Sequence, residues 1–210
     1  MRHDKIRMRI IAILMAFLLV CLFLVPENKA TAKDAFLSNY IQKVFNQKNG
    51  IGSNEVNCLY QSSSGYIWIG TDGGLYRSNG AEFQSINLWD IERTDVYSIN
   101  CIIQDVDGRM WIGTDNYGLF YIENGENYHL QDEYYNGIKQ INDICQTEDG
   151  TIYVATSKGL FTCAVDTNTD VMHMQPYTDT RLSGLNFTHI ENQGNLIWGI
   201  RNTREIYVFD

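Results

Sequence analysis

The stretch SGYIWIGTDGGLYRSN, residues 64–79, decides the fold because it recurs along the chain. Related stretches are DGRMWIGTDNYGLFYIEN from Asp107, DGTIYVATSKGLFTCA from Asp149 and, less closely, QGNLIWGIRNTREIYVF from Gln193. Each copy opens on a glycine turn and continues as an apolar run around an aromatic residue. A second turn and a further apolar run follow. The chain therefore contains an internal repeat.

The spacing of the copies is regular. Their first turn glycines are 43, 42 and 44 residues apart, and an asparagine stands eight residues before each of these glycines. The asparagines are Asn57, Asn100, Asn142 and Asn186. We expect their side chains to bond locally to the backbone where a strand begins. Repeats of about 40–45 residues built from short strands are typical of β-propeller blades.

The first copy predicts four strands, at Val56–Gln61, Tyr66–Thr71, Leu75–Ser78 and Glu82–Ile86. The corresponding fourth strand of the third copy is predicted at Val171–Met174, and a separate half-buried strand at Tyr40–Phe45. Four short antiparallel strands make one propeller blade, which gains its core by stacking on its neighbours. We therefore predict an all-β chain, a partial propeller over residues 40–210.

The predicted blades lie at about 40–87, 88–130, 131–176 and 177–210, the last of them truncated. About three and a half blades do not close a ring, since propellers close with about four to eight. The sequence therefore predicts a segment of a longer propeller, with exposed blade edges through which it self-associates.

The N-terminus has the pattern of an export signal. A basic leader precedes the apolar run Ile10–Val25, and Ala30-Thr31-Ala32 supplies a small-residue cleavage site. Residues 1–32 are a signal peptide cleaved before Lys33 or an uncleaved signal anchor, followed by a lead-in at 33–39. Only the anchor would attach the chain to a membrane. Both alternatives place the remainder outside the cytoplasm, as a secreted, cell-surface or periplasmic segment.

The chain is acidic, with a formal net charge of −9. The first 32 residues hold five Lys or Arg and two Asp or Glu, so the remainder carries −12. Such a surface repels nucleic acid and anionic lipid. It suits neutral or cationic ligands, or another protein, and excludes nucleic acid as a partner.

The cysteines and acidic residues do not predict a metal or a cofactor. Four cysteines follow the leader: Cys58, Cys101, Cys145 and Cys163. They lack C-x-x-C spacing, so they form two disulfides or remain thiols; their place in apolar strands favours buried thiols. The acidic residues before the turn glycines, such as Asp105 and Asp107, are expected to shape turns instead of binding calcium.

One large aromatic residue per repeat is expected to fill the space between blades. Trp68, Trp111 and Trp198 are assigned this role, with sugar-stacking platforms as the alternative. The residues predicted to be structural in the repeat are Trp68, Gly70, Thr71, Gly74, Trp111, Gly113, Thr114, Gly118, Tyr153, Thr156, Gly159 and Trp198.

The pattern W-I-G-T-D-x-G-L-Y/F at Trp68–Tyr76 and Trp111–Phe120 resembles the two-component regulator propeller repeat. The resemblance extends over about residues 40–210 and weakens in the third and fourth copies. It implies the extracellular sensing part of a bacterial membrane receptor. In such receptors further repeats, a β-sandwich domain, a transmembrane helix and a histidine kinase or diguanylate cyclase follow. Kinase or cyclase activity would belong to those other parts.

Catalytic signatures are absent from the sequence. There is no G-x-S-x-G, H-E-x-x-H or phosphate-binding glycine loop. The sialidase Asp-box fails because Ser63, Val106, Glu148 and Asn192 occupy its aspartate position. The histidines show no base partner in sequence. We therefore predict a non-enzymatic chain, with a glycan-processing or glycan-binding propeller, or a purely structural interaction module, as alternatives.

Loops on a rigid scaffold commonly carry binding residues. The candidates between blades are Trp89, Arg93, Tyr97, Tyr134, Tyr135, Tyr177 and Arg181. The expected partner is a neutral extracellular ligand such as an oligosaccharide, or another receptor domain.

Overall fold

We describe a computed structural model of the chain. It describes residues 43–53, 55–89, 97–130, 137–165, 172–194, 196–202 and 204–209. The predicted leader and lead-in lie outside these residues, as do the candidate ligand residues Arg93, Tyr134 and Tyr135. Residues from Phe45 onward form one compact unit, and the description concerns that unit.

Fifteen strands in the described residues form four sheets. The first contains β1 (Val56–Gln61), β2 (Ile67–Thr71), β3 (Gly74–Ser78) and β4 (Phe83–Ile86). The second contains β5 (Ile99–Gln104), β6 (Met110–Thr114), β7 (Leu119–Glu123) and β8 (Glu126–Leu130). The third contains β9 (Ile141–Gln146), β10 (Ile152–Thr156), β11 (Gly159–Val165) and β12 (Met172–Pro176). The fourth contains β13 (Phe187–Gln193), β14 (Leu196–Arg201) and β15 (Glu205–Phe209).

Within each sheet the strands follow in sequence order and pair antiparallel. This is the blade architecture of a β-propeller, and it confirms the predicted fold class. Two single helical turns, Gln47–Asn49 and Thr180–Leu182, stand outside the sheets. Lys43–Asn46 are not in a strand, so the strand predicted to end at Phe45 is wrong over its described part. None of the helices in the described ranges has the length and apolar character to cross a membrane.

The second tight turn of each repeat is organised by a threonine. The hydroxyl of Thr71 donates to the carbonyl of Gly74 over 2.9 Å, and Thr114 and Thr156 make the same bond in the next two blades, at 2.8 Å each. Each threonine Oγ1 also accepts a backbone N–H from within its turn. The recurrence of threonine is therefore explained by local hydrogen bonding.

Glycine recurs in the second strand because a cysteine of the same blade and an isoleucine of the next blade both approach there, with the cysteine sulfur 2.4 Å from a Cβ placed on Gly70 or Gly113. A Cβ on Gly70 would lie 2.6 Å from Cγ2 of Ile99, and one on Gly113 would lie 2.6 Å from Cγ2 of Ile141. Both isoleucines begin the first strand of the following blade. The first strands β1, β5, β9 and β13 contact one another and are called the inner strands. A side chain at either glycine would push neighbouring blades apart.

The apolar core lies between the blades. Trp68 packs with Ile99 and Ile102 of the second blade, and Trp111 packs with Ile141 and Ile144 of the third. At the interface of the third and fourth blades, Ala155 and Leu160 pack with Phe187, Ile190 and Ile197. Trp68 and Trp111 are buried, in agreement with the core-packing prediction.

Trp198 corrects that prediction, because its relative exposure is 41%. It pairs with Glu191 as Trp68 pairs with Tyr60, so it occupies the expected place in the blade. Trp68 and Trp111 are covered by the blade that follows. Within the ranges the structure describes, no blade follows the fourth, and the ring of Trp198 stays exposed.

The repeat register of the fourth blade also differs from the sequence alignment. The irregularity between Val56 and Cys58 falls at Asn57, and the matching irregularity in the fourth blade falls at Thr188. Asn186 therefore lies two residues before the position of Asn57. The first turn of this blade is shorter, so Gly194 does not correspond to Gly65.

The repeated asparagines join neighbouring blades. The side-chain amides of Asn57, Asn100 and Asn142 donate to the carbonyls of Ile99, Ile141 and Phe187, over 3.1, 2.8 and 2.6 Å. Each acceptor begins the inner strand of the next blade. The prediction of local bonds is therefore wrong: these bonds span more than 40 residues.

A second set of interblade bonds lies at the other end of the inner strands. Gln104 Oε1 accepts the N–H of Ser63 over 2.7 Å, and Gln146 Oε1 accepts that of Val106 over 2.9 Å. Each glutamine also donates to a carbonyl in its own turn, at Gly108 or Gly150. Each glutamine thus joins the first turn of its own blade to the first turn of the preceding blade.

The four cysteines of the repeats are free thiols, in agreement with the buried-thiol alternative. Cys101 and Cys145 are buried, whereas Cys58 and Cys163 are half-buried. Burial raises the pKa of both Cys58 and Cys145 to about 12. The thiols are therefore protonated at neutral pH and act as small apolar groups.

Candidate functional site

One end of the blades carries the turns between second and third strands and the connections from blade to blade. We call this end the loop face. Residues 87–89 and 97–98 connect the first blade to the second there, and residues 177–186 connect the third to the fourth. Binding sites commonly lie in loops of this kind, which are held by a rigid scaffold of hydrogen-bonded blades.

Two predicted ligand residues, Trp89 and Tyr97, lie in one aromatic cluster at the loop face. The ring of Trp89 meets those of Phe120 and His129 edge-on, at 4.9 Å each, and that of Tyr117 at 5.5 Å. The ring of Tyr97 lies 6.4 Å from that of Tyr117. Trp89, Tyr97 and Tyr117 are half-buried, so the cluster fixes the connection and also exposes aromatic surface.

Hydrogen bonds orient this cluster. The hydroxyl of Tyr97 donates to the carbonyl of Ile86 over 3.3 Å and accepts the N–H of Leu88 over 3.4 Å. His129 stacks on Phe120 at 4.2 Å, and its Nε2 lies 2.6 Å from the carbonyl oxygen of Tyr117. Tyr117 and His129 were not singled out from the sequence, because nothing in the repeat marks them as neighbours of Trp89.

The other two described candidates lie on a different connection. Tyr177 packs against Tyr153 at 5.8 Å and Phe209 at 5.7 Å. Arg181 forms a bidentate ion pair with Asp179, which lowers the pKa of that carboxyl. Its side chain is 87% exposed. The four described candidate ligand residues therefore lie in two places. Trp89 and Tyr97 lie between the first and second blades, and Tyr177 and Arg181 lie between the third and fourth.

A polar cluster that the sequence did not single out links the first two blades at the loop face. Asp72 Oδ1 accepts hydrogen bonds from Asn57 Nδ2 over 2.7 Å and from Ser98 Oγ over 2.8 Å. Hydrogen bonds from Asn57, Glu55 and Ser98 lower the pKa of Asp72 to about 2. The hydrogen bond between the side chains of Glu55 and Asp72, together with the negative charge of Asp72, raises the pKa of Glu55.

The inner strands of the third and fourth blades carry a carboxylate–imidazole pair. Asp143 accepts the N–H of Ile144 and of Ile190 over 2.9 Å each, and its Oδ2 contacts Nδ1 of His189. Burial raises the pKa of Asp143 and outweighs these favourable contacts. His189 therefore has a carboxylate partner, contrary to the sequence interpretation. In the first two blades Cys58 and Cys101 occupy this position.

A cavity of about 200 Å³ opens between the second and third blades, at the end opposite the loop face. We call it the interblade cleft. Asp105, Asp107, Arg109 and Trp111 line one side, and Ile152, Cys163 and Met172 are among the residues that line the other. Asp105 Oδ2 accepts the indole N–H of Trp111 over 2.8 Å, and its Oδ1 accepts the backbone N–H of Arg109 over 2.8 Å.

Asp105 therefore has the turn-forming role predicted for it, because it also accepts the N–H of Asp107 over 3.0 Å. Asp149 plays the same part in the third blade by accepting the N–H of Thr151 over 3.0 Å. No three His, Cys, Asp or Glu side chains of the described residues are grouped in a way that could hold a metal ion.

The fold and its turns define a β-propeller built from repeated four-stranded blades. Residues 50–73 and 95–116 match the family model described as two component regulator propeller. Two segments of the chain thus match that repeat, and they contain the first two strands of the first and of the second blade.

Solved structures share this fold. The extracellular domain of BT4673 from B. thetaiotaomicron, described as a one-component system, superposes with a TM-score of 0.63 at 21% identity, over 81% of this chain and 23% of that chain. A second structure of that domain, described as a hybrid two-component system, gives 0.62 at 20% identity, over 82% and 24%. The present chain therefore spans less than a quarter of the BT4673 domain.

Propellers of other function are also similar. A protein described as a gluconolactonase superposes with a TM-score of 0.55 at 14% identity, over 74% of this chain and 60% of that chain. At such identities the likeness concerns the fold alone. No curated protein matches the sequence significantly.

Proposed function

We propose that the chain is part of the extracytoplasmic, ligand-sensing propeller of a membrane signalling receptor, and that it binds its ligand without transforming it. The observation that carries this proposal is the match of its first two blades to two-component regulator propeller repeats. The fold likeness to the extracellular domain of a signalling system supports it. The basic, apolar and small-residue order of residues 1–32 is consistent with export.

The interblade hydrogen bonds support a sensing role in physical terms. Asparagine bonds at one end of the inner strands join each blade to the next, and glutamine bonds at the other end join the first three blades. A ligand that contacts two blades would therefore act on a rigid body. A preorganised site binds with less loss of conformational entropy than a mobile one.

The loop-face cluster around Trp89 is the proposed ligand surface of this segment. It combines half-buried aromatic rings with nearby amides, since Asn127 Nδ2 donates to the carbonyl of Asn87 over 2.8 Å. Aromatic faces and amide groups suit a neutral ligand with apolar and hydroxyl-bearing sides, such as an oligosaccharide. Another receptor domain is the alternative partner. Any kinase or cyclase output would lie outside these repeats.

A glycan array combined with a hydrolysis assay tests the proposal. We expect the full chain to capture neutral oligosaccharides and to release them uncleaved. Trp89→Ala should reduce capture, whereas Tyr66→Ala, an exposed aromatic at the opposite end of the first blade, should not. Cleavage of a captured glycan would favour the glycan-processing alternative. Absence of capture by a correctly folded chain would contradict the neutral-glycan ligand.

A further inference from the structure

The turn between β14 and β15 departs from the repeat. Arg201 occupies the position that Thr71 holds in the first blade, because Arg201 pairs with Phe187 just as Thr71 pairs with Val56. In the first three blades this position is a fully buried threonine whose hydroxyl bonds within the turn. Arginine has no hydroxyl and no acceptor, so it cannot reproduce those bonds. A residue that breaks a repeated structural rule is a candidate for function.

A cavity of about 450 Å³ lies at this turn and is lined by Arg201, Asn202, Arg204 and Glu205. We call it the arginine pocket. The backbone N–H of Arg204 donates to the carbonyl of Arg201 over 3.0 Å, so one tight turn holds the two arginines. The pocket lies at the loop face, because it joins the second and third strands of the fourth blade.

The arginine pocket has an excess of positive charge. Arg201 Nη1 donates to Oε2 of its cross-strand partner Glu205 over 2.8 Å, and the hydroxyl of Tyr207 donates to the same oxygen over 3.1 Å. Hydrogen bonds from Arg201 and Tyr207 lower the pKa of Glu205, so its carboxyl is ionised at neutral pH. None of the ion pairs among the described residues includes Arg204, which is exposed. Two guanidiniums therefore share one carboxylate.

The contact with Glu205 does not saturate Arg201. The buried Nε–H of Arg201 finds no hydrogen-bond acceptor among the described residues, so Glu205 engages only part of the guanidinium. The side chain is 33% exposed and is open to the pocket. A guanidinium has five N–H donors in a planar fork, which suits the paired oxygens of an oxyanion.

The other described arginines are already engaged. Arg109 forms ion pairs with three carboxylates, and Arg181 binds both oxygens of Asp179. Arg77 also has a buried Nε–H without an acceptor, but its guanidinium donates to Gln84 and lies over two aromatic rings, at 4.6 and 5.7 Å. Among the described residues, the arginine pocket is thus the place where arginine outnumbers its acidic partners.

We propose that the arginine pocket binds an oxyanion, a carboxylate, sulfate or phosphate group of a ligand, between the guanidiniums of Arg201 and Arg204. Glu205 competes with the ligand for Arg201. The site is a local exception to the acidic surface of the chain. It does not depend on the neutral-ligand surface around Trp89, which lies on other blades, and either site can be present without the other.

The test is an NMR titration of the full chain, labelled with ¹⁵N, at constant pH and ionic strength. Sodium acetate, sodium sulfate and sodium phosphate are the probes, and sodium chloride supplies the reference anion. We expect saturable shifts of the Arg201 Nε–H signal and of the Glu205 amide with an oxyanion, and none with chloride. The probe that binds most tightly identifies the group that the pocket prefers.

Variants separate the pocket from general attraction of anions. Arg204→Gln should weaken oxyanion binding by about three- to tenfold, the scale of one partly exposed charge-assisted contact. Glu205→Gln should strengthen it by a few-fold, because the competing carboxylate is removed. Arg181→Gln is the matched control, since that exposed arginine is already paired with Asp179. Arg204 and Glu205 are exposed turn residues, so these variants retain the fold, and amide dispersion verifies this.

Three results would overturn the proposal. The first is the absence of localised, saturable shifts with all three oxyanions at the highest concentration that the sample tolerates. The second is an equal loss of affinity in Arg204→Gln and Arg181→Gln, which would reduce the effect to general charge attraction. The third is unchanged or weaker binding by Glu205→Gln, which would remove Arg201 from the site.

Discussion

The side-chain amide of Asn142 donates a 2.6 Å hydrogen bond to the backbone carbonyl of Phe187, a residue of the next blade. Asn100 and Asn57 repeat this bond across the two preceding interfaces. The acceptors begin buried inner strands, and Ile99, Ile141 and Phe187 are themselves fully buried. Asn57, Asn100 and Asn142 of the first three repeats are therefore connectors between blades.

Removal of one connector should destabilise the propeller. We expect Asn100→Ala to lower the free energy of unfolding by about 1–3 kcal/mol, because the Ile141 carbonyl would lose its side-chain donor in a buried interface. Denaturant unfolding followed by tryptophan fluorescence measures this. Asn116→Ala is the matched control, since that side chain is exposed and bonds only to neighbouring Asp115. Equal stability of the two variants would argue against the connector role.

The two tryptophans at corresponding positions should differ sharply. Trp111→Ala should cost about 3–5 kcal/mol, the range for truncation of a buried large aromatic side chain. Trp198→Ala should cost less than about 1 kcal/mol, because the ring is substantially exposed. Thermal and chemical unfolding of both variants provide the comparison. A large loss for Trp198→Ala would show that its ring is covered in solution, for instance by a second copy of the chain.

The free thiols should be inert in the folded protein. Because burial raises the pKa of Cys58 and Cys145 to about 12, almost no thiolate is present at neutral pH. Iodoacetamide should therefore label these residues slowly in the native chain and rapidly in denaturant, as peptide mass spectrometry can follow. Fast native labelling of Cys58 or Cys145 would contradict their packed environment.

Asp72 should contribute to stability in a pH-dependent way. Its pKa in the folded chain is about 2, below the ordinary value of 3.8, so its stabilising effect is complete above pH 3.8. The effect should disappear as the pH falls from about 3.8 to about 2. Unfolding of the wild type and Asp72→Asn should therefore differ near neutral pH and converge in acid. A difference that stays constant over this interval would assign the effect to something other than ionisation.

The sequence predicted the blades well because their determinants are local. Turn glycines, the threonine of the second turn and the apolar alternation lie within a few residues of the strands that they specify. β1 therefore has the predicted bounds Val56–Gln61, and β2 ends at Thr71 as predicted.

Features that depend on distant residues were not predicted. The acceptor of each asparagine lies in the next repeat, and Asp143 lies 46 residues before its partner His189, so no local pattern reveals either contact. The fourth blade was misaligned because a shorter first turn moved its glycine out of register with its strands.

Hydrogen–deuterium exchange with and without a captured neutral oligosaccharide tests the ligand-sensing proposal most directly. With the full chain, we expect slower exchange in residues 87–89 and 97–98 at the loop face, with the oligosaccharide recovered intact. Unchanged exchange at the loop face, or recovery of a cleaved oligosaccharide, would contradict a non-catalytic sensor that binds its ligand there.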